Sequence, residues 1–195
     1  MKIVDLCCGL KSWIKPWENK NHEIITLDIN PLFKPDICID VLDYFPKENF
    51  DVVFASPPCT HFSNIRNIWN NTPIKTTEKQ LQNSINIAQK CFNISKKAKY
   101  YCIENPALGM RKYFPRYITI DYCAYNYHSD YWIENKKEWL YIKKSTDLWT
   151  NINFEKRRCN KKHWHIGLVE CLRNPVTRSK VPNELAQHIY NVLND

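Results

Sequence analysis

Two side chains in this sequence stand where buried strands should end: the thiol of Cys59 and the carboxyl of Glu104. Cys59 closes Ser56-Pro57-Pro58-Cys59, directly after the apolar run Asp51-Val-Val-Phe-Ala, which reads as a buried parallel strand. The two prolines stiffen the backbone and aim the next side chain, so the thiol is a candidate nucleophile. The plainer reading, a buried cysteine after a turn, is the commoner fate of the residue type. Glu104-Asn105-Pro106 follows a second apolar run, Tyr100-Tyr-Cys-Ile, and the proline is expected to end the strand's ladder. If a helix joins the two runs in a βαβ unit, their tips lie side by side, and Cys59 and Glu104 face one pocket.

Three earlier strands end in acids. Lys2 to Leu6 leads into Asp5-Leu6-Cys7-Cys8-Gly9, His22 to Leu27 ends at Asp28, and Ile37 to Ile39 ends at Asp40. Ligands of open parallel sheets bind beyond the carboxyl ends of the strands, so Asp5, Asp28 and Asp40 are expected to line one crevice. Carboxylates there suit ribose hydroxyls, a cationic amino group or an adenine amino group, and Gly9 lets backbone approach a ligand. Any one of them can equally be a turn or helix cap. Neither G-x-G-x-x-G nor G-x-x-x-x-G-K-[ST] occurs, and the chain has three glycines, which disfavours a dinucleotide.

The elements that must position these groups follow from periodicity. Residues 78–99 carry Leu81, Ile85, Ala88 and Phe92 as one helical stripe. A helix-like segment after Gly9 is cut short or kinked by Pro16. Short β-like runs are expected at Tyr117 to Tyr122, Glu138 to Ile142 and Leu148 to Thr150, and a closing helix from about residue 181, with Asn183 as cap or Pro182 as first residue. The polar stretch His61 to Thr77, about 17 residues, is long for a connector; its Arg66 and Lys75 can meet phosphates, and a merely solvated loop is an equal alternative. Cys159, His163, His165 and Cys171 are a weak candidate metal cluster, because their spacing matches no standard zinc finger.

A chain of 195 residues suffices for one domain with a sizeable core. With 28 Lys plus Arg against 20 Asp plus Glu, its net charge of +8 favours a polyanionic partner. Nine irregularly spaced cysteines and no signal-like start point to a reducing, intracellular setting, cytoplasm or nucleus or nucleoid. No apolar run approaches the roughly 20 residues of a membrane-spanning helix, so no membrane role is expected.

In this order the motifs resemble the cytosine carbon-5 DNA methyltransferase family, especially its short single-domain, virus- or phage-like members. Asp5-Leu6-Cys7-Cys8-Gly9 is similar to the family's first motif, Ser56-Pro57-Pro58-Cys59 to its nucleophile motif and Glu104-Asn105-Pro106 to its Glu-Asn-Val motif. Arg178-Ser-Lys-Val-Pro182 is similar to its closing motif. The resemblance implies an α/β, Rossmann-like S-adenosylmethionine-dependent methyltransferase fold, a mostly parallel sheet with a C-terminal antiparallel hairpin. It implies one domain over 1–195: a catalytic and cofactor core at 1–150, a reduced target-recognition segment at 151–180 and the closing helix at 181–195. S-adenosylmethionine would be the donor and S-adenosylhomocysteine the product. Asp28 with Ile29 would hold the ribose, Asp40 with Val41 the adenine edge, and Asp5, Leu6, Cys7, Cys8, Gly9 and Pro58 the rest of the cofactor. Cys59 would add to carbon 6 of a flipped cytosine while Glu104, with Asn105, protonates or hydrogen-bonds ring nitrogen 3. Ser63, Arg66, Lys75, Lys143 and Lys144 are the expected nucleic-acid contacts, with DNA as partner.

The chain departs from the family pattern in three places. Leu10-Lys11-Ser12 stands where further glycine is usual, and Pro106 replaces valine. The Gln-x-Arg-x-Arg motif should fall near Lys143 to Trp149, where Asp147 occupies what looks like the second arginine position. About 30 residues remain for target recognition, too few for an ordinary domain, so specificity is low, very short or supplied by a protein partner. Two other readings stand beside DNA methylation: an RNA cytosine methyltransferase, and a catalytically weak nucleic-acid-binding module that keeps the fold.

Overall fold

The computed structural model describes residues 1–62, 76–133, 138–141, 144–160 and 179–195. Its centre is a seven-stranded sheet built from β1 (Lys2–Leu6), β2 (Glu23–Asp28), β3 (Ile37–Cys38), β4 (Val52–Ala55), β5 (Tyr100–Pro106), β6 (Ile118–Asp121) and β9 (Ser145–Thr150). The spatial order is β3-β2-β1-β4-β5-β9-β6. The first five strands pair in parallel, and β9 runs antiparallel to both its neighbours. The remaining strands, β7 (His128–Ile133) and β8 (Glu138–Tyr141), form a separate antiparallel pair. This is a Rossmann-like arrangement, a mostly parallel sheet with antiparallel strands towards its C-terminal end.

The two-residue period of each strand sorts its side chains between two cores. Ile3, Val52, Phe54 and Cys102 face one side, where they meet Trp13, Trp17 and the Leu185, Ala186 and Ile189 stripe of α2 (Asn183–Asn194). Val4, Leu6, Val53, Ala55 and Ile103 face the other, against Ala88, Cys91 and Phe92 of α1 (Glu78–Ser95). Strands buried on both faces read as continuous apolar runs, which is how β1, β4 and β5 appear in the sequence. A capping box starts α1: the Thr77 hydroxyl accepts from Gln80 N and the Gln80 side chain accepts from Thr77 N.

Four expectations are corrected. The segment after Gly9 forms turns and a single 3-10 turn at Lys15–Trp17, with Pro16 as its second residue, in place of a helix. Pro106 does not end the ladder of β5, because its register partner Thr146 lies on the antiparallel β9 and the pairing continues to it. The start of α2 is shifted by one residue: Asn183 is its first residue and not its cap, and Pro182 occupies the N-cap position, without a side-chain hydrogen bond, and not the first helical position. Finally β7, rich in His, Ser and Asp at its start, was not expected as a strand.

Candidate active site

Beyond the carboxyl ends of β1, β2 and β4 lies a cleft of about 350 Å3, walled by Cys7, Cys8, Gly9, Asp28, Ile29, Asp40, Val41 and Pro58. Gly9 takes a left-handed φ of 46°, as does Cys7 at 52°, which folds the backbone back towards β2. Gly9 N then donates to Asp28 Oδ2 at 2.9 Å, and Asn30 N donates to Asp28 Oδ1 at 2.9 Å. Asp40 is both wall and cap, since its Oδ1 accepts from Leu42 N at 2.9 Å. Trp13, Phe33 and Ile87 add an apolar side that no motif announced, and Ser179 and Val181 arrive from the segment before α2.

Asp5 and Leu6 do not line this cleft. Both are fully buried, and neither carboxylate oxygen of Asp5 has a hydrogen-bond partner. Burial, with the Asp28 charge adding to it, holds the Asp5 carboxyl well above the usual carboxylate range. A carboxyl group raised on folding opposes the folded state as pH climbs, because the unfolded chain ionises first. We therefore expect wild-type stability to fall relative to Asp5→Asn from about pH 4 upward. Parallel urea titrations across pH check this, and curves of constant separation would refute it.

The second part of the site lies at the adjacent tips of β4 and β5. Pro57 is buried, Pro58 is exposed in the cleft wall, and Cys59 is half-buried. The Asn105 side-chain amide donates to Pro57 O at 2.8 Å, tying the cysteine loop to the acid strand. Glu104 is 5% exposed; its Oε1 accepts from the Tyr122 hydroxyl at 3.0 Å and lies 3.7 Å from Lys144 Nζ. Burial first, then the Glu104 charge, raise the Tyr122 phenol well above its ordinary value, so it stays a donor. Lys144 is 6% exposed, with its ammonium 4.5 Å from the centre of the Tyr122 ring. Expected as a contact to nucleic acid, it is placed as a buried neighbour of Glu104.

Asp147, where an arginine was expected, is fully buried and takes its arginine from elsewhere. Arg111 Nε donates to Oδ2 at 2.6 Å and Nη2 to Oδ1 at 2.7 Å, while Thr119 Oγ1 donates to Oδ1 at 2.8 Å. A bidentate pair of this kind is costly to halve, because the remaining buried carboxylate has lost its cation. Arg111→Ala is expected to lower stability by about 3 kcal/mol. Adding Asp147→Asn to it should return part of the loss, as chemical denaturation of both variants will read.

Two other cysteines at the cleft stay thiols near neutral pH. A hydrogen bond with Cys91, then burial, raise Cys7 well above its ordinary value, and burial with the Asp5 charge pushes Cys8 up to about 12. Cys159 is half-buried beside Cys123, which burial and the Cys159 thiol push up to about 12. Among the described residues no group of three or more His, Cys, Asp or Glu is placed to hold a metal ion. His163, His165 and Cys171 lie outside the described residues, as do Ser63, Arg66, Lys75 and Lys143. Among the described residues no helix is long and apolar enough to cross a membrane.

No family model matches the chain. Over 169 residues it is 33% identical to a probable DNA (cytosine-5)-methyltransferase of Frog virus 3 (isolate Goorha), covering 78% of this chain and 71% of that protein. Among solved structures it is similar to the Entamoeba histolytica methyltransferase EhMeth, at 16% identity and a TM-score of 0.47 over 84% of this chain and 57% of that one. It is also similar to the S. pombe Dnmt2 methyltransferase, at 17% identity and a TM-score of 0.45 over 82% of this chain and 53% of that one. The chain thus spans little more than half the length of either solved structure.

Proposed function

The chain belongs to the cytosine-5 DNA methyltransferase family, and from that we propose that it methylates carbon 5 of cytosine in DNA with S-adenosylmethionine as donor. The observation that carries the reading is the joined pair of strand tips, with Cys59 on one, Glu104 on the other and the Asn105 to Pro57 hydrogen bond between them.

The residues of the cleft fit the donor. Its ribose and adenine suit Asp28 and Asp40, which stand in the cleft wall beyond β2 and β3. Ile29 and Val41 would pack beside the adenine, and the backbone of Cys7 to Gly9 would follow the methionine part. When bound, S-adenosylmethionine supplies an electrophilic methyl group.

Carbon 5 of cytosine is a weak nucleophile, and the chain's own groups would correct this. The Cys59 thiolate forms a bond to carbon 6 while Glu104 delivers a proton to ring nitrogen 3, moving electron density onto carbon 5. Once carbon 5 carries the methyl group, its proton passes to a solvent base as the bond between carbon 6 and sulfur breaks and releases the thiolate, and ring nitrogen 3 returns its proton to Glu104, which restores the ring. Tyr122 and Lys144 hold Glu104 in place at Oε1, and Asn105 fixes the approach of the Pro57-Pro58-Cys59 backbone. A base inside a duplex cannot reach this pocket, so the cytosine leaves the stack.

The test is transfer of a labelled methyl group to random-sequence DNA and RNA side by side, followed by digestion to nucleosides. Label in 5-methyldeoxycytidine supports the reading. Label confined to RNA would move the activity to the RNA branch, and none in either would leave a binding module.

A further inference from the structure

The segment 107–117 runs from the acid strand to β6 and holds no acidic residue. Its backbone is anchored at several points. Ala107 N donates to Ser145 O at 3.1 Å, Leu108 N donates to Asp147 Oδ2 at 3.2 Å, and Phe114 O accepts from Trp149 Nε1 at 2.8 Å. Gly109 is pressed onto the loop that carries the nucleophile: a Cβ there would stand 2.5 Å from the backbone oxygen of Phe62, whose own N–H bonds Cys59 O at 3.0 Å. The Tyr113 ring lies 5.9 Å from that of Phe62. The platform is therefore firm and adjoins the reacting groups.

On this platform Leu108 is out of keeping with its surroundings. It is 63% exposed and takes a φ of 86°, a left-handed conformation that a leucine adopts only at a cost. Core packing does not explain it, because Met110 two residues later fills the core and is fully buried. Lys112, Tyr113 and Arg116, in the same segment, are also exposed. An apolar tip among cations and an aromatic ring, with no opposing carboxylate in the segment, complements a stacked polyanion.

We infer that the segment Ala107–Tyr117 docks the DNA around the target site, with Leu108 as an apolar wedge entering the stack where the cytosine has left, and Lys112 and Arg116 on the flanking phosphates. This rests on the proposed removal of the base from the duplex. Apolar side chains stabilise an opened base step by covering the faces it exposes, and a wedge held rigidly loses little freedom in doing so.

The experiment compares the full chain with its Leu108→Ala variant on random-sequence DNA offered as duplex and as single strand. A wedge matters only where a stack must be opened. The variant should lose about tenfold or more in methyl transfer to duplex and stay within about twofold on single strands. Equal effects on the two forms would overturn the wedge. A binding arm needs no turnover: by fluorescence anisotropy, Leu108→Ala should weaken affinity for a matched duplex about tenfold more than for one whose cytosine is mismatched. Absence of methyl transfer by the wild type to either form defeats the proposed activity, and the anisotropy ratio then decides the wedge alone, an unchanged ratio sinking it.

Discussion

A Cys59→Ala variant binds S-adenosylmethionine as the wild type does and transfers methyl groups at least about a thousandfold more slowly, a barrier increase of about 4 kcal/mol. The two halves of this expectation rest on different parts of the structure. Binding survives because the cleft is walled by Pro58 and by groups from β1 to β3, with Cys59 outside its lining. Folding survives because Cys59 is half-buried in a loop, where truncation of a small side chain usually costs within about 0.5 kcal/mol. Transfer fails because no other group replaces the electron pair that activates carbon 5: the Cys91 hydrogen bond with burial keeps Cys7 a thiol, and burial keeps Cys8 one. The direct measurement is trapping. A duplex carrying 5-fluorocytosine, incubated with cofactor, should yield a denaturation-resistant adduct with wild type and none with the variant. A variant that still transfers methyl groups at the wild-type rate would remove Cys59 from the mechanism.

Glu104→Gln should lower kcat by about 10²- to 10⁴-fold, the usual range for losing a positioned proton donor. Glutamine keeps the shape of the side chain and an oxygen for the Tyr122 hydroxyl, but it has no proton to deliver. The substitution has a second effect that must be separated from the first. The ammonium of Lys144, buried to 6% exposure, loses the carboxylate 3.7 Å away, and a buried charge without its partner destabilises the fold. The double variant Glu104→Gln, Lys144→Met removes both charges. It is expected to recover melting temperature and to remain as slow as the single variant. Recovery of activity along with stability would mean that Glu104 serves the fold and not the proton transfer.

Much of this placement is legible in the sequence where the signal is local. The run before Ser56 must be a buried strand, because it is apolar on both faces and ends at two prolines. The same reasoning locates Glu104 and Asn105 at the tip of β5 and Asp28 at the tip of β2. What stays hidden depends on partners distant in the chain. Lys144 reads as one of a surface pair, since nothing near it in sequence reveals that Glu104, forty residues earlier, is its neighbour. Asp147 reads as the loss of an arginine, whereas the register of β9 between β5 and β6 sets it opposite Asn105 and Thr119, within reach of Arg111. The turns in place of a helix after Gly9 escape for a different reason. Trp13, Ile14 and Trp17 have helical spacing and do become buried, but they pack through turns that periodicity alone cannot tell from a helix.

The bond from the Asn105 amide to Pro57 O joins two stretches that are 48 residues apart in the chain. Its consequence concerns inheritance and engineering. A Pro-Pro-Cys loop moved into a scaffold whose neighbouring strand has no amide at the place of Asn105 loses this anchor, so loop and acid strand are expected to transplant best as one cassette.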